Sequence, residues 1–306
     1  LSKAKASDEY IFTGCPGEEA HAEEIYQTLN KAEKIWNKHQ TNELLNLYTS
    51  NFRSDDGSDI EDIRKRLGQF WFNYPDSRIE SHINAIYVCG DTASVSLAEM
   101  AVGSQAHEKG AAADMKPVKY RTWFTGTTVL KKKGNTWKIS QENIQTEHVW
   151  NSYGSLAEDL ISKGKIKLIA PERIETGSNY IAKLLYDLPA SVQGRAIIYK
   201  NLLQHFPEDE DGGDDDQVSS PGKALFGANT QEGTRRLFRA NNTGQDEMVS
   251  AQIELISLTK GKPAALAGRI IISQRVIIIP KPSPAKEKKT ATKSFREEAL
   301  GKKDKK

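Results

Sequence analysis

The chain has 306 residues, of which 37% are hydrophobic and 27% charged, with a formal net charge of +2 at pH 7. That length allows two domains, and that balance is ordinary for a globular protein. The small net charge gives no case for a nucleic-acid partner, and no run of about 20 apolar residues exists that would form a membrane-spanning helix.

Residues 1–17 are polar and are broken by Pro16 and Gly17, which reads as a disordered lead-in. Thr13-Gly14-Cys15 has the form of a lipoprotein cleavage box, but Lys3, Lys5, Asp8 and Glu9 before it make no apolar signal core. Cys15 and Cys89 allow either one disulfide or two free thiols.

Ala22, Ile25, Leu29, Ala32, Ile35 and Trp36 recur at spacings of three and four, which predicts a helix from about Glu18 to Lys38. A short helix should follow from Thr41, carrying Leu44, Leu45, Leu47 and Tyr48. The NFRSDDGSD stretch reads as a loop. Asp59 to Phe72 reads as a third helix, stopped by the Tyr74-Pro75 step.

Strands come next. Arg78 to Val88 and Thr92 to Val102 flank a Cys89-Gly90-Asp91 turn. Residues 120 to 147 read as a hairpin turning at Lys133-Gly134-Asn135, because glycine and asparagine tolerate positive φ. On its second strand Trp137, Ile139, Gln141 and Asn143 alternate with Lys138, Ser140 and Glu142. Helices first and sheet second argue for an α+β fold in which a curved antiparallel sheet wraps onto three helices.

This order resembles the nuclear-transport-factor-two superfamily, the cone-shaped fold that includes the SnoaL-like proteins. The residues that carry the likeness are the Trp36 helix, Leu47-Tyr48-Thr49-Ser50-Asn51-Phe52 followed by Asp55-Asp56-Gly57, the Ile63 to Trp71 helix, and Gly134-Asn135-Thr136-Trp137-Lys138-Ile139. The resemblance covers residues 18–150. It implies a cone with a ligand pocket, for which Trp36, Tyr48, Asp55, Asp56, His82, Trp123 and Glu142 are the candidate lining residues. It also implies a homodimer built on the open sheet face, where Trp123 would sit.

In the isomerase branch of that superfamily a carboxylate after the second helix acts as general base, and Asp56 falls near that place. An apolar cone would raise its pKa, as proton abstraction beside a carbonyl requires. The tyrosine that serves as oxyanion donor in that branch is not matched: ungapped alignment puts Ala32 there, and Tyr26 lies earlier on the helix.

Beyond Trp150 a short helix is expected at residues 156–163. Short strands follow at 165–169, 180–186, 195–203, 234–240, 248–258 and 265–279, a pattern that suggests an all-β, sandwich-like domain over residues 165–280. Residues 208–216, EDEDGGDDD, read as a solvated acidic loop, and residues 281–306 as a basic disordered tail with which an anionic membrane surface could make contact.

Neither HExxH nor CxxC occurs, so no metal site is expected, and nothing points to a cofactor. The expected function is a non-catalytic binding or scaffold protein, bacterial and placed in the envelope or outside the cytoplasm, taking a small apolar ligand or a protein partner. The alternative is a small-molecule isomerase or hydrolase of the SnoaL type with Asp56 as base.

Overall fold

The computed structural model describes residues 5–6, 10–105, 118–202, 224–226, 233–258 and 265–281. The acidic run and the basic tail beyond Lys281 lie outside these described residues.

Helix α1, Glu19–Trp36, buries Ala22, Ile25 and Leu29 along one stripe. Helix α2 is the single turn Thr41–Leu45. Helix α3, Ile60–Asn73, starts at a reciprocal cap. The Asp59 carboxylate accepts from the Glu61 and Asp62 backbone N–H groups at 2.9 and 3.2 Å. The Asp62 carboxylate in turn accepts from the Asp59 N–H at 3.1 Å. Three backbone donors at the start of the helix are thereby satisfied.

Fifteen strands are described: β1 (Lys5–Ala6), β2 (Ile11–Gly14), β3 (Tyr48–Ser54), β4 (Arg78–Cys89), β5 (Thr92–Ser104), β6 (Lys119–Lys133), β7 (Thr136–Tyr153), β8 (Ile166–Ile169), β9 (Arg173–Glu175), β10 (Asn179–Tyr186), β11 (Val192–Leu202), β12 (Ala224–Phe226), β13 (Thr234–Arg239), β14 (Glu247–Ser257) and β15 (Ala265–Ile279). Helix α4, Ser155–Ser162, follows β7. The chain is thus α+β, with one large curved sheet and few helices. That sheet runs β1-β2-β4-β5-β6-β7-β15-β14-β11-β12, with β3 also on β7 and β9 also on β15; a second sheet runs β13-β10-β8.

Strand β7 is the hub. One edge pairs antiparallel with β6 from Thr136 to Ser152. Its other edge takes β3 in parallel near Ile139 and Glu142, then β15 antiparallel from His148 to Tyr153. The C-terminal strands therefore continue the N-terminal sheet edge to edge. The apolar cores remain separate. One holds Ile25, Phe52, Ile86, Leu130 and Trp137 between α1 and the first strands. The other holds Leu184, Ala196, Ile253, Ile270 and Val276, between the two sheets. Each fully buried leucine, isoleucine, valine or phenylalanine among them contributes roughly 1.5–3 kcal/mol.

Two readings of the sequence are corrected. Residues 11–14, taken as part of an irregular lead-in, form β2 and pair in parallel with Ala85 to Val88. Cys15 follows directly and is disulfide-bonded to Cys89. Residues 48–54, divided between a helix and a loop, form β3, because the Tyr48 and Phe52 side chains find burial against β7 rather than on a helix.

Candidate functional site

Helix periodicity and strand alternation converge on one cavity of about 540 Å³ inside the cone. Helix α1 contributes Leu29, Ala32, Glu33 and Trp36, and α3 contributes Ile63, Leu67 and Phe70, each set spaced by three or four. From the strands come Ile79, Ser81 and Ile83, then Leu97, Glu99 and Ala101, then Tyr120, Thr122 and Phe124. Each of these triplets is a run of alternate residues, as a single sheet face requires.

Two bulges on the β6–β7 ladder bring acids to this face. The register slips between Val129 and Leu130 and again between Thr125 and Gly126, so Ser140 and Gln145 are extra residues on β7. Each extra residue inverts the alternation that follows it. Ile139, Glu142, Ile144 and Glu147 consequently all line the cavity. Gly126 permits the second slip, since a Cβ there would stand 2.5 Å from the Asn143 carbonyl oxygen.

The acids have few partners. The Tyr48 hydroxyl donates to Glu142 Oε1 at 3.0 Å. The Ser81 hydroxyl donates to Glu99 Oε1 at 2.7 Å, and the Ser81 N–H donates to Glu33 Oε2 at 2.9 Å. Burial raises the Glu142 carboxyl to about 7, helped by the Glu99 charge and opposed by the Tyr48 hydrogen bond. Burial likewise raises Glu99 to about 7, with Ser81 opposing and Glu33 adding to the rise. Glu147 is also raised by burial, against the attraction of Arg275 and Arg66. Tyr48 is pushed well above the usual phenol range by burial and by Glu142. Two carboxyls that titrate near neutrality in one cavity can exchange protons with a bound molecule, one as base and one as acid.

Of the residues proposed from sequence, Trp36, Tyr48 and Glu142 line the cavity and Asp55, Asp56, His82 and Trp123 do not. Asp56 lies in the turn before α3. It accepts from the Ser54 hydroxyl, from the Ser58 N–H at 3.0 Å and from Arg66 at 2.9 Å. Burial acts to raise it, but these bonds outweigh burial and hold its carboxyl far below the usual range. The expectation of a raised Asp56 base is corrected accordingly. Asp55 instead accepts the Ile144 N–H at 3.1 Å and pairs with Arg275 of β15 at 3.0 Å.

His82 is exposed on the outer face of β4, one residue out of step with Ser81 and Ile83. Trp123 is also on the outer face, opposite Met100 and His148 in register, with its ring 5.8 Å from the His148 ring. Tyr26 stacks on Tyr10 at 5.2 Å, beneath β2 and outside the cavity lining. Glu33, Ser81 and Glu147 were not found from sequence. For Glu33 the helical spacing from Leu29 and Trp36 was the available signal. Among the described residues, no group of three or more His, Cys, Asp or Glu is arranged to hold a metal ion.

No family model and no curated protein matches the chain. Solved structures similar to it include a protein described as a scytalone dehydratase from Novosphingobium aromaticivorans, 12% identical, with a TM-score of 0.36 over 42% of this chain and 85% of that one. A protein described as a dehydratase of the nuclear-transport-factor-two-like family from Streptomyces avermitilis is 11% identical, with a TM-score of 0.34 over 42% of this chain and 97% of that one. A hexachlorocyclohexane dehydrochlorinase from Novosphingobium barchaimii is 13% identical, with a TM-score of 0.34 over 42% of this chain and 86% of that one. These neighbours are of the nuclear-transport-factor-two-like kind named by the resemblance over residues 18–150, and the likeness concerns that share of the fold alone.

Proposed function

We propose that the cone is a small-molecule site in which Glu142 and Glu99 form a proton-transfer pair. The observation that carries this reading is their shared cavity, together with carboxyls both raised to about 7. At neutral pH two coupled acids of this kind hold roughly one proton between them. The ionised Glu142 takes a proton from a carbon next to a carbonyl. The electron pair of that C–H bond moves onto the carbonyl oxygen, and the protonated Glu99 donates a hydrogen bond to it. Return of the proton to another carbon completes an isomerisation, and no further reactant is needed. Trp36, Phe70 and Phe124 supply an apolar wall that keeps water from competing.

The same cavity also supports binding without turnover, and one experiment separates the two readings. Cyclic ketones are screened for a rise in melting temperature that is lost in the cavity-filling variant Ala101→Trp. Compounds that pass are incubated with protein in D2O, and loss of the α-proton signal is followed by NMR. The proton-transfer reading expects exchange that slows about 100-fold or more in Glu142→Gln. Binding with no exchange assigns the cone to a non-catalytic function. Exchange at an unchanged rate in Glu142→Gln removes that residue from the chemistry.

A further inference from the structure

The sheet β13-β10-β8 packs one face on the C-terminal core and leaves the other outside. Register places the outer residues in rows. Arg239 stands opposite Asn179, Leu237 opposite Ile181, and Arg235 opposite Lys183. Lys183 continues to Ile169, and Leu185 stands opposite Lys167. Leu237, Ile181 and Ile169 are 64%, 54% and 49% exposed. Among the described residues this face carries four cations and no carboxylate, and none of the four forms an ion pair. Cations directly opposite each other, as Arg235 and Lys183 are, disfavour strand pairing and gain nothing inside the fold.

We propose that this face docks on an anionic lipid bilayer. Three large apolar side chains ringed by lysine and arginine match the layering of such a surface. The apolar tips reach the acyl boundary while the cations stay at the phosphate level. A second copy of the chain fits poorly, since a two-fold pairing of this face would set cations against cations. The course of the chain adds a second argument. The Lys281 N–H donates to Thr176 Oγ1 at 3.2 Å, and Arg239 Nε donates to the neighbouring Gly177 carbonyl at 3.3 Å. Lys281 therefore lies beside the Arg239 end of this face, and the sequence that follows it, residues 282–306, has nine basic and four acidic side chains.

The test is co-sedimentation of the full chain with vesicles of phosphatidylcholine alone or of phosphatidylcholine and phosphatidylglycerol at three to one. The wild-type chain should partition at least tenfold more onto the anionic vesicles, and less as salt rises. The double variant Lys183→Glu/Arg235→Glu should lose at least tenfold of that binding. Ile181→Ser/Leu237→Ser should weaken binding at every salt concentration. Lys131→Glu/Lys133→Glu, at the far hairpin, makes the same change in net charge and should stay within twofold of wild type. All these positions are exposed, and circular dichroism verifies folding. Wild-type binding without preference for anionic lipid overturns the proposal. So does undiminished binding by Lys183→Glu/Arg235→Glu, which would assign the contact to residues 282–306. Binding to polyglutamate but not to vesicles would assign the face to an acidic protein and also overturn it.

Discussion

The Tyr48 hydroxyl and the Glu142 carboxylate meet at 3.0 Å although 94 residues separate them in sequence. Parallel pairing of β3 with β7 makes the meeting possible, because it sets Tyr48 beside Ile139 and Ser54 beside Glu142. This hydrogen bond favours the ionised acid, in a cavity where burial and Glu99 favour the neutral one. Tyr48→Phe should therefore raise the Glu142 pKa above about 7. A charge-assisted bond of this kind corresponds to roughly one pKa unit or more. Titration of the Glu142 carboxyl by 13C NMR measures it, and an unchanged midpoint would mean that the bond does not form in solution.

Glu99 and Glu142 make stability depend on pH in an unusual direction. Both are raised from 4.5 to about 7, so the folded chain holds more protons than the unfolded chain between those values. Stability from this pair is greatest below pH 4.5 and is lost as pH rises through about 7. Glu99→Gln/Glu142→Gln should flatten that slope and should be the more stable protein at pH 8, by about 2 kcal/mol. Urea unfolding at pH 5 and pH 8 measures both. A wild-type chain that gains stability from pH 5 to pH 8 more steeply than the variant would contradict the assignment.

Arg275 ties the two halves of the chain together. Its guanidinium is 4% exposed and pairs with Asp55 at 3.0 Å and with Asp246 at 2.6 Å. Arg275→Met strands two partly buried carboxylates and should cost about 3–5 kcal/mol. Arg64→Met removes an exposed pair with Glu61 and an exposed hydrogen bond to Asn42, and should cost less than about 1 kcal/mol. Comparing the two in urea unfolding isolates the effect of burial.

The Cys15–Cys89 disulfide closes a loop with a sequence separation of 74 residues and pins β2 to the end of β4. A loop of that length predicts a loss of up to about 4 kcal/mol when the cross-link is absent. Cys15→Ser/Cys89→Ser, or reduction of the wild-type chain, should lower the melting temperature correspondingly. A chain indifferent to reductant would show that the two thiols are not joined in solution.

Much of the fold was legible in the residues. The three-and-four spacing of α1, the Tyr74-Pro75 stop after α3, the Gly134-Asn135 turn and the β-branched run of β15 each reflect a local preference, and local preferences are written within a few residues. Strand β2 was missed because Ile11 and Phe12 are too short a signal beside Pro16 and Gly17. Its strand state comes from pairing with β4. Glu142 was assigned to the pocket, although simple alternation put it on the face opposite Ile139. The bulge at Ser140 returns it to the cavity face, and nothing within β7 announces that bulge.

The order of amino acids alone yielded the α+β class, the helices and the long strands, and the resemblance over residues 18–150, but neither β2 nor β3. It did so because apolar periodicity and turn chemistry depend only on neighbours along the chain. Which carboxylates matter is set by the folded packing. Asp55 and Asp56 are adjacent acids in one turn, yet hydrogen bonds from Ser54 and Ser58, with Arg66 adding to them, overcome burial and lower Asp56, while burial raises Asp55 despite Arg275. Glu99 and Glu142, 43 positions apart in the chain, come to share one cavity and one range of titration. A carboxyl's pKa is set by the charges, donors and apolar atoms packed around it, and those neighbours are brought together only by the fold.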